Sequence, residues 1–267
     1  MQASQICYEV KEKSEKGVTV PKEPRQRDNR GAKKSGDTVT RNIVIGMVAL
    51  VVLSGLIFTV LDKRSGSETT LPASIEKIDA SNNGAPLKGE VRPENDYGIV
   101  FNADAPVSIN IWEDFQCPFC KFFETEMSEY VESLIRKKEA KVTYHMTSFI
   151  GEESKRAANA AYCSVDEGRF IEFHKALYAI QGTENSGLFS NKNLVEIGKR
   201  LGITSPSFES CVQENKFGDQ VAKVYASMAK NKVEGTPTVF INGKLWNRSG
   251  SQFVLDEFKA AVEAAKQ

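Results

Sequence analysis

The chain has 267 residues, with 35 basic and 35 acidic side chains and therefore a formal net charge of zero. This balance leaves no basic excess for a nucleic-acid partner, and the length allows one domain of ordinary size with additional segments. Five cysteines are too few for a scaffold held together by disulfides, and their odd number leaves at least one unpaired or in another compartment.

The N-terminal region is polar and has few large apolar side chains, which predicts a disordered cytoplasmic tail at residues 1–42. Residues 43–61 follow as an apolar run without a charge. At 1.5 Å per residue this run is about 28 Å long, close to the hydrocarbon thickness of a bilayer. A cleaved signal peptide is the alternative, but its apolar region is normally only about 7–15 residues long. We therefore predict an uncleaved transmembrane anchor at residues 43–61.

The cationic side chains predict how this anchor is oriented. Seven of them precede the span, namely Lys22, Arg25, Arg27, Arg30, Lys33, Lys34 and Arg41. Only three follow it, namely Lys63, Arg64 and Lys77. The positive-inside rule then places the N-terminus, with Cys7, in the cytoplasm and the rest of the chain outside the cell membrane. Residues 62–93 are rich in Ser, Thr, Gly, Pro and Asn, which predicts a flexible tether to a domain at residues 94–267.

A Cys-Pro-Phe-Cys motif at residues 117–120 lies between a strand pattern and a helix pattern. Val107, Ile109 and Ile111 alternate with polar residues before it, and apolar residues recur at helical spacing after it. Both sulfurs are thus predicted at a helix N-terminus, where free N–H groups and the macrodipole stabilise a thiolate. The pKa of the first thiol should therefore lie below the free value of about 8.5.

The same spacing also suits half of a zinc site. A second ligand pair is missing, however, because Cys163 and Cys211 stand alone and His145 and His174 form no Cys/His cluster. The sequence therefore favours redox chemistry and no metal, and both histidines are expected to be structural.

The remaining pattern alternates strands and helices, which predicts an α/β domain. Asn242-Gly243 is the preferred dipeptide of a type I′ hairpin turn. The predicted elements are a strand at Val142–Met146, helices near Ser154–Asp166, Arg169–Gln181, Asn193–Leu201, Pro206–Asn215 and Gly218–Asn231, strands at Thr238–Ile241 and Lys244–Trp246, and a last helix at Gln252–Lys266.

CPFC at residues 117–120, GTPT at residues 235–238 and the helical block between them resemble the DsbA family of thiol–disulfide oxidoreductases. The resemblance covers about residues 97–266 and is greatest to tethered or secreted proteins of Gram-positive envelopes. It implies a thioredoxin-like fold with an inserted α-helical domain at about residues 150–231. The implied enzyme is a monomeric oxidase that introduces disulfides into exported, cysteine-containing proteins. It would use the Cys117–Cys120 disulfide without another cofactor, and a membrane reoxidase of the DsbB or vitamin K epoxide reductase type would restore that disulfide.

Two other functions stay open on the sequence alone. A thiol–disulfide reductase or isomerase could use the same fold, because the Pro118-Phe119 dipeptide does not fix the redox potential. A non-enzymatic metal-binding or chaperone module could also carry the motif.

The resemblance assigns roles to individual residues. Cys117 is expected to be the exposed, attacking sulfur, and Cys120 the more buried sulfur that resolves the mixed disulfide. Thr236-Pro237 resembles the family's cis-proline loop, which pairs with an extended client. Phe119 departs from the histidine of the best-known DsbA enzymes, so Cys117 should be less acidic and the oxidant milder.

Other positions are assigned with their alternatives. Ile111 occupies the place where related folds bury a proton-relay carboxylate, and Glu113 and Asp114 are candidate substitutes unless both are solvated or cap the loop. The resemblance implies a structural disulfide between Cys163 and Cys211, with two buried thiols as the alternative. Four phenylalanines surround CPFC and are expected to lie mostly in the core: Phe115, Phe119, Phe122 and Phe123. Two of them, Phe115 and Phe119, could also line an apolar groove that binds the client.

Overall fold

A computed structural model describes Leu71 and residues 86–267 of the chain. Within these residues, no helix is long and apolar enough to cross a bilayer. The predicted tail at 1–42, the predicted anchor at 43–61, most of the predicted tether and Cys7 lie outside the described part.

The described chain alternates strands and helices as the sequence predicts. Its elements are β1 (Glu90–Arg92), a 3-10 turn (Pro93–Asn95), β2 (Gly98–Phe101), β3 (Val107–Glu113), α1 (Pro118–Arg136), β4 (Ala140–Met146), α2 (Glu152–Asp166), α3 (Phe170–Ile180), α4 (Asn191–Arg200), α5 (Pro206–Gln213), α6 (Gly218–Lys230), β5 (Thr238–Ile241), β6 (Lys244–Leu245) and α7 (Leu255–Ala264).

The strands form one six-stranded sheet in the order β1-β2-β4-β3-β5-β6. β3 and β4 are parallel, and every other neighbouring pair is antiparallel. A parallel pair needs a crossover connection, and α1 provides it. The inward residues of β3 that alternate in the sequence, Val107, Ile109 and Ile111, are fully buried. The sheet thus places the C-terminal end of β3 and the first turn of α1 beside the start of β5.

Five helices, α2 to α6, lie between β4 and β5, where the sequence predicts a helical insertion. Cys163 of α2 and Cys211 of α5 form a disulfide across this block. In the chain-entropy model, closing a loop of 48 residues stabilises the fold by about 4 kcal/mol. The described hairpin turn has positive φ at both Asn242 (47°) and Gly243 (75°), as a type I′ turn requires.

Several element boundaries differ from the sequence prediction, and three of them have a clear cause. Glu90–Arg92, assigned to the flexible tether, form edge strand β1 and pair with β2. β4 begins at Ala140, because it pairs with the full length of β3. The last helix begins at Leu255, because Val254 is extended and Phe253 packs on the rings of Phe123 and Trp246.

Candidate active site

Cys117 lies directly before α1, and three loop residues separate it from the end of β3 at Glu113. It is the N-cap of the helix, with an extended backbone, and Pro118 occupies the first helical position. The Cys117 carbonyl accepts hydrogen bonds from the N–H groups of Cys120 (3.1 Å) and Lys121 (3.2 Å). The Cys117 N–H donates to the carbonyl of Asp114 (2.9 Å). These bonds hold the Cys117 sulfur at the first helical turn, beside the N–H groups of Phe119 and Cys120.

The two sulfurs are less accessible than the sequence predicts. Cys117 is only 6% exposed and Cys120 is fully buried, so the prediction of an exposed Cys117 is wrong, although Cys117 is the more accessible of the two. The cause is the loop before β5, because the Thr236 carbonyl lies 3.4 Å from Cys117 Sγ and accepts a hydrogen bond from the thiol.

The pKa values of the two thiols are shifted in opposite directions. The pKa of Cys117 is lowered from 9.0 to about 6, mainly by a hydrogen bond with Cys120. Burial raises this pKa, whereas hydrogen bonds with Thr236 and with the N–H groups of Cys120 and Phe119 lower it further. Burial raises the pKa of Cys120 well above its ordinary value, and the hydrogen bond with Cys117 and the charge of Glu113 raise it further. At neutral pH the pair therefore holds one thiolate and one thiol.

The loop that covers Cys117 contains Thr236-Pro237, and the peptide bond between them is cis. This loop leads directly into β5, which pairs antiparallel with β3. The pairing of Trp112 with Thr238 therefore brings the loop to the cysteine motif, about 120 residues away along the chain.

A buried cluster of two carboxyl groups and one imidazole contains Glu113. Its Oε2 lies 2.9 Å from His174 Nε2, and His174 Nδ1 lies 3.5 Å from Glu124 Oε2. Burial raises the pKa of both carboxyls well above the ordinary value and lowers the pKa of His174. The alternative of a solvated Glu113 is therefore wrong.

The same three side chains, Glu113, Glu124 and His174, are close enough to hold a metal ion, since one ligand atom of each lies within 4.8 Å of the others. Metal ligands must be deprotonated, whereas burial favours the protonated form of both carboxyls. The cluster consequently suits proton sharing better than cation binding.

Asp114 has a different role from Glu113. It is fully buried, and its two oxygens accept hydrogen bonds from the Gln116 N–H (2.9 Å), the Ser154 hydroxyl (2.6 Å) and the N–H groups of Phe149 (3.0 Å) and Ile150 (3.2 Å). Burial raises its pKa, which these hydrogen bonds oppose. Asp114 thus fits the loop-capping alternative, and it joins the cysteine loop to the segment after β4.

Gln181, at the C-terminal end of α3, holds the cysteine loop from the side of the helical insertion. Its Nε2 donates to the carbonyls of Phe115 (2.6 Å) and Cys117 (3.0 Å). The Gln181 carbonyl in turn accepts a hydrogen bond from Lys121 Nζ (2.8 Å). Two elements far apart in the sequence, α1 and α3, are therefore fastened together at the first cysteine.

The phenylalanines divide into two groups around the motif. Phe115 and Phe123 are fully buried, but Phe119 is 55% and Phe122 is 59% exposed. The expectation that these rings lie mostly in the core is wrong for Phe119 and Phe122, because both point away from the sheet on the outer side of α1. Phe119 lines a groove of about 470 Å³ together with the cis-proline loop, and Phe115 is not among the residues that line this groove.

Residues 97–264 match the family model described as Thioredoxin. The chain belongs to the thioredoxin family. It is 23% identical over 238 residues to the probable disulfide bond formation protein D of Bacillus anthracis, covering 86% of this chain and 97% of that one. It is 26% identical over 164 residues to disulfide bond formation protein D of Bacillus subtilis, covering 60% of this chain and 72% of the relative.

The described fold is also similar to a solved structure of the disulfide bond oxidoreductase DsbG from Mycobacterium tuberculosis in its reduced form. The TM-score is 0.53 at 29% identity, over 60% of this chain and 78% of the other. Within the thioredoxin family, the chain is accordingly a DsbA-like thiol–disulfide oxidoreductase.

Sequence reasoning missed three residues of this thioredoxin-family site. Glu124 lies one helical turn after Cys120, a spacing that places it on the same face of α1, and this signal could have been used. His174 and Gln181 gave no such signal, because their partners in the site lie about 60 residues away along the chain. His145 stacks on Trp112 with 4.0 Å between ring centroids, in agreement with a structural role.

Proposed function

We propose that this protein is an oxidase that introduces disulfides into exported proteins through the Cys117–Cys120 pair. The observation that carries the proposal is the opposite acidity of the two thiols, with the pKa of Cys117 lowered to about 6 and that of Cys120 raised. A stabilised thiolate favours the reduced form of the enzyme, and an enzyme that prefers to be reduced oxidises its clients.

The proposed reaction transfers two electrons from client to enzyme. A client thiolate attacks Sγ of Cys117 in the enzyme disulfide, so a client–Cys117 bond forms and Cys120 leaves and takes up a proton. A second client thiolate then attacks the client sulfur of this mixed disulfide and releases Cys117 as a thiolate. The client gains one disulfide, and the enzyme becomes a dithiol. In the reverse direction, Cys120 resolves the mixed disulfide.

The neighbouring residues support each step. Thr236 and Pro237 offer the backbone edge beside Cys117 along which an extended client would lie. Glu113, whose charge acts on Cys120, is the proposed proton relay for that buried thiol. Asp114 is proposed to hold the loop rather than to carry protons. The Pro118-Phe119 dipeptide supplies no side-chain donor to the Cys117 thiolate, so the oxidant should be a mild one.

The redox potential can be bracketed from the thiol acidity. Thioredoxin combines a cysteine pKa of about 7 with about −270 mV, and DsbA combines about 3.5 with about −120 mV. The pKa of about 6 for Cys117 lies between these two cysteine values. We therefore expect a potential above that of thioredoxin and well below that of DsbA.

The setting of the reaction is part of the proposal. Residues 43–61 would anchor the chain in the cell membrane with its N-terminus in the cytoplasm, and the residues up to β1 would tether an extracytoplasmic domain. The apolar run and the distribution of cations support this arrangement. A membrane reoxidase of the DsbB or vitamin K epoxide reductase type would return the dithiol to the disulfide, and the enzyme would act as a monomer.

Equilibration of the full-length chain with glutathione, followed by refolding of reduced ribonuclease, tests the proposal. The oxidised chain should restore ribonuclease activity, and Cys117→Ser should abolish this effect, whereas Cys7→Ser is the matched control and should leave it intact. Cys120→Ser, with Cys117 first joined to glutathione as a disulfide, should accumulate a mixed disulfide with the client, because a client thiolate attacks Cys117 Sγ and releases glutathione. A potential at or below about −270 mV, with insulin reduction faster than ribonuclease oxidation, would instead favour a reductase.

A further inference from the structure

The groove beside Cys117 has an apolar wall and a single charged residue. Its volume is about 470 Å³, and it begins at Phe119 and at the Thr236-Pro237 loop whose carbonyl contacts Cys117 Sγ. Trp246 and Phe253 provide the other aromatic surface. A client segment bound along the loop would therefore place its neighbouring side chains in this groove.

Arg248 is the only charged residue among the described residues that line the groove. Its guanidinium carbon lies 4.4 Å from the centroid of the Phe253 ring, which holds the side chain against the groove. Its Nη1 is buried and has no hydrogen-bond partner among the described residues. A guanidinium is always charged and offers only hydrogen-bond donors, and this half-buried side chain also lines the groove, where an acceptor of a bound molecule can reach it.

The acidic residues nearby do not complete this site. Glu257, in the helix that follows the loop, accepts hydrogen bonds from the N–H of Ser249 (3.2 Å) and from the Ser249 hydroxyl. Glu126 lines a neighbouring depression that also includes Phe119 and Phe253, and it is not part of the groove around Arg248. Neither carboxylate pairs with Arg248, which leaves its positive charge available to an acidic group of a molecule bound in the groove.

We propose that Arg248 selects client segments that carry a carboxylate close to the reacting cysteine. This inference rests on the proposed function and adds a substrate class to it. In an extended segment, side chains two residues apart point to the same side and lie about 7 Å from each other. An Asp or Glu two residues from the cysteine is therefore the side chain best placed to enter the groove and form a charge-assisted hydrogen bond with Arg248.

Model peptides with two cysteines test the inference on the oxidised full-length chain. Three peptides carry Glu, Gln or Lys two residues before the first cysteine, and three carry them two residues after it. For one of the two positions, before or after the cysteine, we expect the Glu peptide to be oxidised about fivefold faster than the Gln peptide. A factor of about five corresponds to a surface ion pair at the upper end of its usual free-energy range. The Lys peptide should be slower than both, and added salt should reduce the differences.

Variants assign the preference to a residue. Arg248→Gln should bring the Glu-to-Gln ratio close to one, and Arg248→Lys should keep part of it because the charge remains. Arg92→Gln is the matched control, since Arg92 lies on β1 at the opposite edge of the sheet from β6, and it should keep the full ratio. A ratio that Arg248→Gln leaves unchanged, or that Arg92→Gln lowers equally, would overturn the inference.

A second assay separates this inference from the proposed function. The same peptides, joined as disulfides to 2-thiopyridine, report the attack of reduced Cys117 by release of thiopyridone, whichever direction the enzyme favours. Failure to oxidise any dithiol peptide would refute the oxidase proposal. Equal attack on the Glu, Gln and Lys disulfides would refute the role of Arg248 alone.

Discussion

The free energy of unfolding of the reduced protein should depend on pH through Cys117. Its pKa in the folded state is about 6, against 9.0 for an ordinary thiol. Because the folded state favours the thiolate, the stabilisation is complete above about pH 9 and is lost as the pH falls through about 6. One pKa unit corresponds to about 1.4 kcal/mol, so Cys117 would contribute about 1.4 kcal/mol at pH 7.

Urea unfolding of the reduced full-length chain and of Cys117→Ser between about pH 5 and about pH 8 measures this contribution. Carboxyl groups and histidines titrate in both proteins, so the difference between the two unfolding free energies isolates Cys117. This difference should be near zero at about pH 5 and grow by about 1.4 kcal/mol for each pH unit above about pH 6.

Cys7→Ser serves as the control for replacing a thiol, and it should follow the wild-type curve. The oxidised protein, in which Cys117 has no proton to lose, should also lack the rise. A wild-type-minus-Cys117→Ser difference that stays constant across the pH range would show that Cys117 titrates as an ordinary thiol. The argument for an oxidising pair would then fail.

Three further substitutions probe the site. Phe119→His adds a second side-chain donor to the one that Cys120 provides, and should lower the pKa of Cys117 below about 6, measured as alkylation rate against pH. Gln181→Ala removes two hydrogen bonds to the cysteine loop, and should lower the unfolding free energy by about 2 kcal/mol in urea titrations and shift the alkylation midpoint of Cys117. Glu113→Gln removes the proposed relay, and should slow the Cys120-dependent release of glutathione from a Cys117 mixed disulfide by about 100-fold in stopped-flow measurements.

Each of these substitutions has a matched control. Phe122→His places the same ring one turn further along α1 and should leave the alkylation midpoint of Cys117 unchanged. Gln213→Ala, at the exposed end of α5, should cost little stability, and Glu126→Gln, exposed on α1, should leave the release of glutathione unchanged. A control that reproduces the effect of its partner would show that the effect is not specific to the site.

The sequence was sufficient to predict the elements of the fold that depend on local residue patterns. Alternation in β3, helical spacing after Cys120 and the Asn242-Gly243 turn are local patterns, and the structure has these elements where the patterns indicate them. The α/β class, the helical block between β4 and β5 and the position of both cysteines at a helix N-terminus follow from them.

The sequence was not sufficient where side chains distant along the chain meet. Glu113 could be named as a candidate, but its partner His174 belongs to another helix and looked structural from its apolar neighbours. Likewise, helical spacing indicates that Phe119 and Phe122 share a surface of α1 but not whether that surface faces the core. The accessibility of Cys117 depends on a loop near residue 236, so its burial could not be read from the motif either.

The disulfide between Cys163 and Cys211 has a consequence for how the proposed oxidase matures. If the chain is exported as proposed, each new copy would arrive with these two thiols reduced and would have to acquire its own cross-link. In the proposed reaction older copies would supply it, so the enzyme would be among its own clients. Its active population should then grow autocatalytically after synthesis begins.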